Sequence, residues 1–221
     1  VQQIDMTRET PSQRFVPERR RTLRALAAVA LLRAAPAVGQ SALLAPTPSQ
    51  PEGPFYPKTV PADHDSDLTQ IVGRAARASG TLLYLSGRVL ARNARPVIDA
   101  RVELWQCDVH GRYHYAGDDG APRDDNFQGY GVVTTDGDGR YAFKTIRPVP
   151  YSGRTPHLHV RVRPASGQPL TTQIYIAGDS TDGDFVLAGT PAEARQRLTM
   201  VLAPAGREPG ALSGSFDFVI R

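Results

Sequence analysis

The run Pro156-His157-Leu158-His159-Val160-Arg161-Val162 alternates polar and apolar side chains without a break. A helix brings residues back to one face about every 3.6 positions, whereas a strand sends successive side chains to opposite faces. Such a run therefore reads as a half-buried strand. Leu158, Val160 and Val162 point into a core, and His157, His159, Arg161 and Arg163 share the other face. Short alternating or apolar stretches recur at 82–90, 100–106, 141–146, 172–177 and 215–220, separated by Gly, Pro, Asn and Asp. Twenty Gly and nineteen Pro supply the turns. The expected fold is all-β, an antiparallel β-sandwich. A chain of 221 residues, 40% of them hydrophobic, buries one sizeable core but hardly two. A short helix is expected only at 191–201, with Thr190 as its cap.

The two imidazoles on one face invite a metal, although an isolated His-x-His is more often an ordinary surface pair. The segment upstream changes the balance. Arg147-Pro148-Val149-Pro150-Tyr151-Ser152-Gly153-Arg154-Thr155-Pro156 is stiffened and turned by its prolines and glycine, which holds Tyr151 and Arg154 close to the histidine strand. Another phenol follows the stretch Val102-Glu103-Leu104-Trp105-Gln106. There Tyr113 and Tyr115 compete for the role, as His110 and His114 do for any nitrogen ligand, and spacing does not choose among them. Two phenolate oxygens and two imidazole nitrogens suit a trivalent transition metal, ferric iron above all. Such a centre would lie outside the main core and would need a cover of loops or N-terminal chain to keep bulk water away.

These residues fall into a pattern that resembles the intradiol ring-cleavage dioxygenases, the family of the catechol and protocatechuate enzymes. The resemblance spans about residues 51 to 221. It is carried by Glu52-Gly53-Pro54-Phe55-Tyr56-Pro57, by Val102 to Gln106 with Gly111-Arg112-Tyr113, by Tyr151 with Arg154-Thr155-Pro156-His157-Leu158-His159, and by Gln173-Ile174-Tyr175-Ile176-Ala177-Gly178-Asp179. It implies a mononuclear non-haem Fe(III) centre held by Tyr113, Tyr151, His157 and His159, and it selects Tyr113 over Tyr115. It also implies cleavage of a catechol-type ortho-diol by O2, between the two hydroxyl-bearing carbons, to a muconate-type diacid. In that scheme Tyr151 is the departing ligand and takes the substrate proton, Arg154 stabilises the activated substrate, and Gln173 stands beside the arginine. Pro54 and Tyr56 match a segment that lines the substrate pocket, although Phe55 and Tyr56 could equally pin the N-terminal arm to the sheet. The loop from Tyr151 to His157 is much shorter than in the familiar enzymes, and the chain lacks room for the helical dimerisation region of catechol dioxygenases. It looks more like compact exported members of the superfamily, so the substrate is named only as a class and assembly into a homo-oligomer is left open.

The piece from Ser86 to Leu90, through Pro96 to Ala100, to Thr135-Asp136-Gly137-Asp138-Gly139-Arg140-Tyr141 also resembles transthyretin-like and adhesin modules. That is the rival reading, a binding sandwich without catalytic metal. Asp136-Gly137-Asp138-Gly139 superficially suits calcium, but no bidentate Glu follows at the right distance, so a hairpin turn is expected. The acidic stretch 179–184 reads as a solvated loop near the site entrance.

Charge separates the chain into parts. Residues 1–40 carry seven Arg against three acids, whereas residues 41–221 carry nineteen of each sign. A balanced main domain argues against nucleic-acid binding. In residues 1–40, Arg19-Arg20-Arg21-Thr22-Leu23-Arg24 precedes the apolar run 25–32, which looks like a twin-arginine export signal; Arg33 interrupts the run before it could span a bilayer. An exported protein, periplasmic or extracellular, is therefore expected, with an N-terminal helix for subunit packing in a cytoplasmic protein as the alternative. Residues 41–80 would form an arm covering the pocket, and residues 81–221 the catalytic sandwich with its long active-site loops. The lone Cys107 excludes an intrachain disulfide and reads as packed rather than catalytic.

Overall fold

A computed structural model describes residues 42–115 and 120–221; the segment read as an export signal lies outside them. The β-sandwich expectation is borne out. Ten strands form two five-stranded sheets: β1 (Leu82–Ala91), β2 (Arg101–Trp105), β3 (Tyr130–Thr134), β4 (Arg140–Ile146), β5 (His157–Arg163), β6 (Leu170–Ile176), β7 (Thr199–Met200), β8 (Leu202–Pro204), β9 (Leu212–Ser215) and β10 (Phe218–Ile220). Both sheets are mixed. In the first, β1 pairs antiparallel with β4, and parallel with β9 along Leu83–Ser86 and with β10 along Val89–Ala91. The chain shifts from β9 to β10 at Phe216, whose N–H donates to the Ser86 carbonyl and whose carbonyl accepts the Tyr141 hydroxyl. Gly87 lies beside this shift, and any Cβ there would collide with the Phe216 carbonyl oxygen.

The second sheet runs β3-β2-β5-β6-β7. Its inner face carries Val102 and Leu104 of β2, Leu158, Val160 and Val162 of β5 and Ile174 of β6, packed with Leu83, Leu85, Val89, Phe143 and Phe218 of the other sheet. Burying side chains of this size contributes roughly 1.5–3 kcal/mol each. Period two then dictates the outer face. Register places Trp105, His159 and Gln173 in one row across β2, β5 and β6, Glu103, Arg161 and Thr171 in the next, and His157 opposite Tyr175. A turn at Asp136–Gly139, with Gly139 in the left-handed region at φ +70, joins β3 to β4; the Asp136 carboxylate accepts the N–H groups of Asp138 and Arg140. The acidic side chain thus closes a tight turn, but not the expected hairpin, because β3 lies in the second sheet and β4 in the first.

Two single-turn helices, α1 (Phe185–Ala188) and α2 (Ala192–Gln196), lie between β6 and β7. Pro191 rather than Thr190 occupies the N-cap position of α2, while Thr190 donates to the Val186 carbonyl. α1 was not expected; Asp184 caps it.

Candidate metal centre

His157 and His159 stand on the outer face of the second sheet yet are only 1% exposed, because the N-terminal arm crosses that face. The arm is tied down along its length. Gln50 N–H donates to the Thr171 carbonyl, Thr172 Oγ1 to the Pro48 carbonyl, and Gln173 Nε2 to the Pro51 carbonyl at 2.8 Å. Glu52 pairs with Arg161, and the Arg161 guanidinium lies 4.2 Å from the Tyr56 ring centre. Tyr56 donates its hydroxyl to the buried Glu103 carboxylate at 2.8 Å, which Arg101 also reaches. Burial and that carboxylate both push the Tyr56 phenol well up from its ordinary value. Gly53, at φ +72, passes over His159.

Tyr151 is delivered by a tight turn. Ser152 and Gly153 have φ +41 and +73, and Tyr151 and Arg154 exchange backbone hydrogen bonds across them. Two successive left-handed residues make the sharpest hairpin turn available, which explains how so short a loop returns the chain directly to β5. Tyr113 comes from the loop after β2. There the buried Asp108 carboxylate accepts the N–H groups of His110, Arg112 and Asp124, and Gly111, at φ +75, packs on Tyr151. Phe55 stacks on the Tyr113 ring at 4.4 Å and meets the Tyr151 ring edge-on at 6.1 Å.

The four candidate donors converge. Ring centres are 5.3 Å apart for Tyr113 and Tyr151, 5.9 Å for Tyr113 and His159, and 4.7 Å for the two histidines. His157 Nε2 lies 3.1 Å from His159 Nε2 and 3.3 Å from the Tyr151 hydroxyl. His157 Nδ1 faces the Thr155 carbonyl at 2.6 Å; a carbonyl accepts only, so Nδ1 carries the proton and Nε2 presents a lone pair. His159 is held instead by the Trp105 ring, stacked on it at 5.0 Å. Burial lowers the His157 pKa to about 4, with Arg154 adding to the effect, and burial, His157 and Arg154 together hold that of His159 well below its ordinary value. The imidazoles are therefore neutral at pH 7. Burial raises both phenols, and Tyr113 is raised further by its neighbour Tyr151.

This arrangement fits a cation. The Tyr113 hydroxyl is buried without a hydrogen-bond partner, a costly state for a polar atom unless something else meets it. Among the described residues no group of three His, Cys, Asp or Glu could hold a metal, so an ion at the histidine pair would need the phenols as its further protein donors. Of the competing side chains, Tyr115 donates to the Gln128 carbonyl, while His114 Nε2 faces Asp108 at 3.5 Å without a hydrogen bond and its ring packs edge-on against Phe127.

Arg154, 8% exposed, donates from Nη2 to Gln173 Oε1 at 2.6 Å, and its Nε pairs with Asp184 at 3.1 Å. Pro54 is exposed on the arm. Of the arm residues, Phe55 is the one whose ring packs on the candidate tyrosine ligands, whereas the Tyr56 hydroxyl turns to Glu103 and its ring meets Trp105 and Tyr130. Asp184 escaped the sequence reading. It belongs to the stretch read as solvated, yet its side chain is fully buried; an Asp directly ahead of Phe-Val-Leu is the helix-start signal that marks it. A hollow of about 340 Å³ lined by Tyr151, Gly153, Arg154 and Asp182 opens beside the centre. The larger one, about 660 Å³ around Ser86, Arg88 and Tyr141, includes none of these residues.

Residues 51–221 match the family model described as Dioxygenase. The beta chain of protocatechuate 3,4-dioxygenase from Burkholderia cepacia is 37% identical over 172 residues, which is 73% of this chain and 72% of that one. Hydroxyquinol 1,2-dioxygenase from Corynebacterium glutamicum is 30% identical over 148 residues, 58% of this chain but only 45% of that one. Among solved structures, the dioxygenase domain of a dioxygenase carbohydrate-binding protein fusion from Streptomyces sp. SirexAA-E is 30% identical, with a TM-score of 0.63 over 80% of this chain and 98% of that one.

Proposed function

Because the chain belongs to the intradiol ring-cleavage dioxygenase family, we propose that it is a non-haem Fe(III) enzyme that opens the ring of a catechol-type ortho-diol with O2 between its hydroxyl-bearing carbons. The observation that carries this reading is the meeting of two neutral imidazole Nε2 atoms, 3.1 Å apart, with two phenols, one half-buried and the other buried and partnerless. Two relatives are named as dioxygenases of protocatechuate and hydroxyquinol, both ortho-diols, which supports this substrate class.

Tyr113, Tyr151, His157 and His159 would hold the ion. Bound there, ferric iron would supply the Lewis acidity and redox capacity that make an ortho-diol reactive toward O2. The chain's own groups do the rest. Tyr151, facing the 340 Å³ hollow, receives a substrate hydroxyl proton. Arg154 places a fixed positive charge next to the phenols and favours the anionic form of the substrate. Gln173 ties that arginine to the arm through the Pro51 carbonyl. Gly53 and Phe55 close the face over His159 and Tyr113 and keep water out. A diol plus O2 contains all the atoms of the diacid product, so no external reductant enters.

The test is oxygen uptake by iron-loaded protein with catechol, protocatechuate and hydroxyquinol, followed by product identification. One O2 consumed per ring-opened dicarboxylate, without reductant, supports the reading. A semialdehyde, or a colourless protein that takes up no iron, overturns it. A metal-free binding sandwich would give neither colour nor uptake and leaves the partnerless Tyr113 hydroxyl unexplained.

The Arg19-Arg20-Arg21 run followed by residues 25–32 supports export of the folded chain. Retention in the cytoplasm of a strain with an intact twin-arginine pathway would overturn that part. No helix among the described residues is long and apolar enough to cross a membrane.

A further inference from the structure

The turn at Ser152–Gly153 fixes the Arg154 backbone, but its long side chain needs holding as well. Asp184 supplies the grip. Its fully buried carboxylate divides its two oxygens between two tasks. Oδ1 accepts the N–H groups of Val186 and Leu187 at 2.9 and 3.0 Å, capping α1. Oδ2 accepts Arg154 Nε at 3.1 Å and the Thr155 N–H at 2.8 Å. The guanidinium is thus anchored along one edge by Asp184, at Nη2 by Gln173 Oε1 and the Tyr175 hydroxyl, and across its face by the Phe185 ring at 5.3 Å. Nη1 has no acceptor among the described residues. In a planar fork, fixing one edge and one end fixes where the remaining N–H groups point.

We propose that Asp184 is a positioning residue for ring cleavage: one carboxylate joins the start of α1 to Arg154 and aims the guanidinium's unengaged nitrogen for the bound diol. This rests on the catalytic reading of Arg154 given above.

Asp184→Asn separates the two tasks, since its amide oxygen still caps α1 while its NH2 group cannot accept from Arg154. The iron-loaded full chain is compared as wild type, Asp184→Asn, Arg154→Gln and the double variant. The readouts are iron content, kcat and KM and, on the metal-free full chain where no paramagnetic ion broadens the signal, exchange of the Arg154 Nε–H followed by NMR. Asp184→Asn is expected to keep iron, expose the Nε–H to fast exchange and lower kcat about 10²-fold, the scale of an ångström-sized misplacement, with KM nearly unchanged. The double variant should be no slower than Arg154→Gln. Losses that multiply in the double variant, or full kcat in Asp184→Asn despite a freely exchanging Nε–H, overturn the proposal. Full turnover in Arg154→Gln instead overturns the parent reading of Arg154, and the exchange measurement still reports whether the grip exists. If Asp184→Asn does not fold, Asp184→Ser, a good cap too short to reach Arg154, carries the same comparison.

Discussion

His159 Nε2 lies 3.1 Å from His157 Nε2, although the two residues leave the strand two positions apart. Two neutral imidazoles aimed at one point in a dry site are poorly satisfied by each other and well satisfied by a shared cation. Their neutrality has a measurable cost in acid. The folded-state pKa of His157 is about 4, against about 6.5 when unfolded. The unfolded chain therefore binds the extra proton first as pH falls. Stability contributed by the neutral ring is complete above pH 6.5 and is lost as pH drops through 4, roughly 3 kcal/mol for His157 at 1.36 kcal/mol per unit. His159 acts in the same direction. The urea midpoint of metal-free protein should fall steeply between pH 6.5 and 4, and His157→Asn should flatten that slope. An unchanged slope would show that the ring is not buried neutral.

Tyr113→Phe separates metal binding from folding. The Tyr113 hydroxyl is buried without a partner, so deleting it removes a desolvated polar atom and no hydrogen bond. Metal-free Tyr113→Phe should be as stable as wild type or up to about 1 kcal/mol more stable, yet it should lose iron and visible colour. A drop in apo stability with iron retained would remove Tyr113 from the ligand set.

Iron uptake should release protons. Both phenols are raised by burial and so enter the reaction protonated, while both imidazoles enter neutral. Binding of ferric ion through all four should therefore release about two protons per site from the protein, and affinity should rise with pH accordingly. Titration in weakly buffered solution, corrected for hydrolysis of the added iron, counts them. Release of none would exclude the phenols as ligands.

Much of this centre was legible because period two is unforgiving: once Leu158 and Val160 face the core, His157 and His159 must share the other face. The closeness of Tyr151 and Arg154 to the histidines was legible for a similar local reason, since a two-residue turn joins them, whereas only the family resemblance chose Tyr113 over Tyr115. What local pattern does not encode is pairing between distant strands. The parallel alignment of β1 with β9 and β10 depends on Phe216 and Gly87 meeting across the sheet, and β3 was absent from the stretches read as strands. Asp184 was misread because an acidic run looks solvated, and its burial follows from Arg154, thirty residues away in the chain. Tyr56 was read both as lining the substrate pocket and as pinning the arm to the sheet; its hydroxyl is turned to Glu103, a partner no local pattern could name.

That partnership gives its own test. Tyr56→Phe keeps the ring against Trp105 and Tyr130 and removes one donor from a buried carboxylate that retains Arg101. Stability should fall by about 1–3 kcal/mol, the cost of leaving a buried acceptor short of a donor. Substrate affinity should change little. A large rise in KM without loss of stability would return Tyr56 to the substrate pocket.

Gly53 tests whether the arm is a working cover or only a tether. At φ +72 its backbone is left-handed, and a Cβ there would lie 3.4 Å from His159 Cε1, an ordinary contact. The cost of Gly53→Ala is therefore conformational, about 1–2 kcal/mol, and the backbone relieves it by shifting away from His159. Gly73 provides the control, with φ +82 and open space around its Cβ position. Both alanine variants should lose similar stability. Only Gly53→Ala should lower kcat/KM, with iron content retained, because only there does the relaxation lift the chain from the site and admit water. Equal kcat/KM in the two variants would show that the arm contributes anchoring alone, and that the dryness of His157 and His159 comes from the loops bearing Tyr113 and Tyr151.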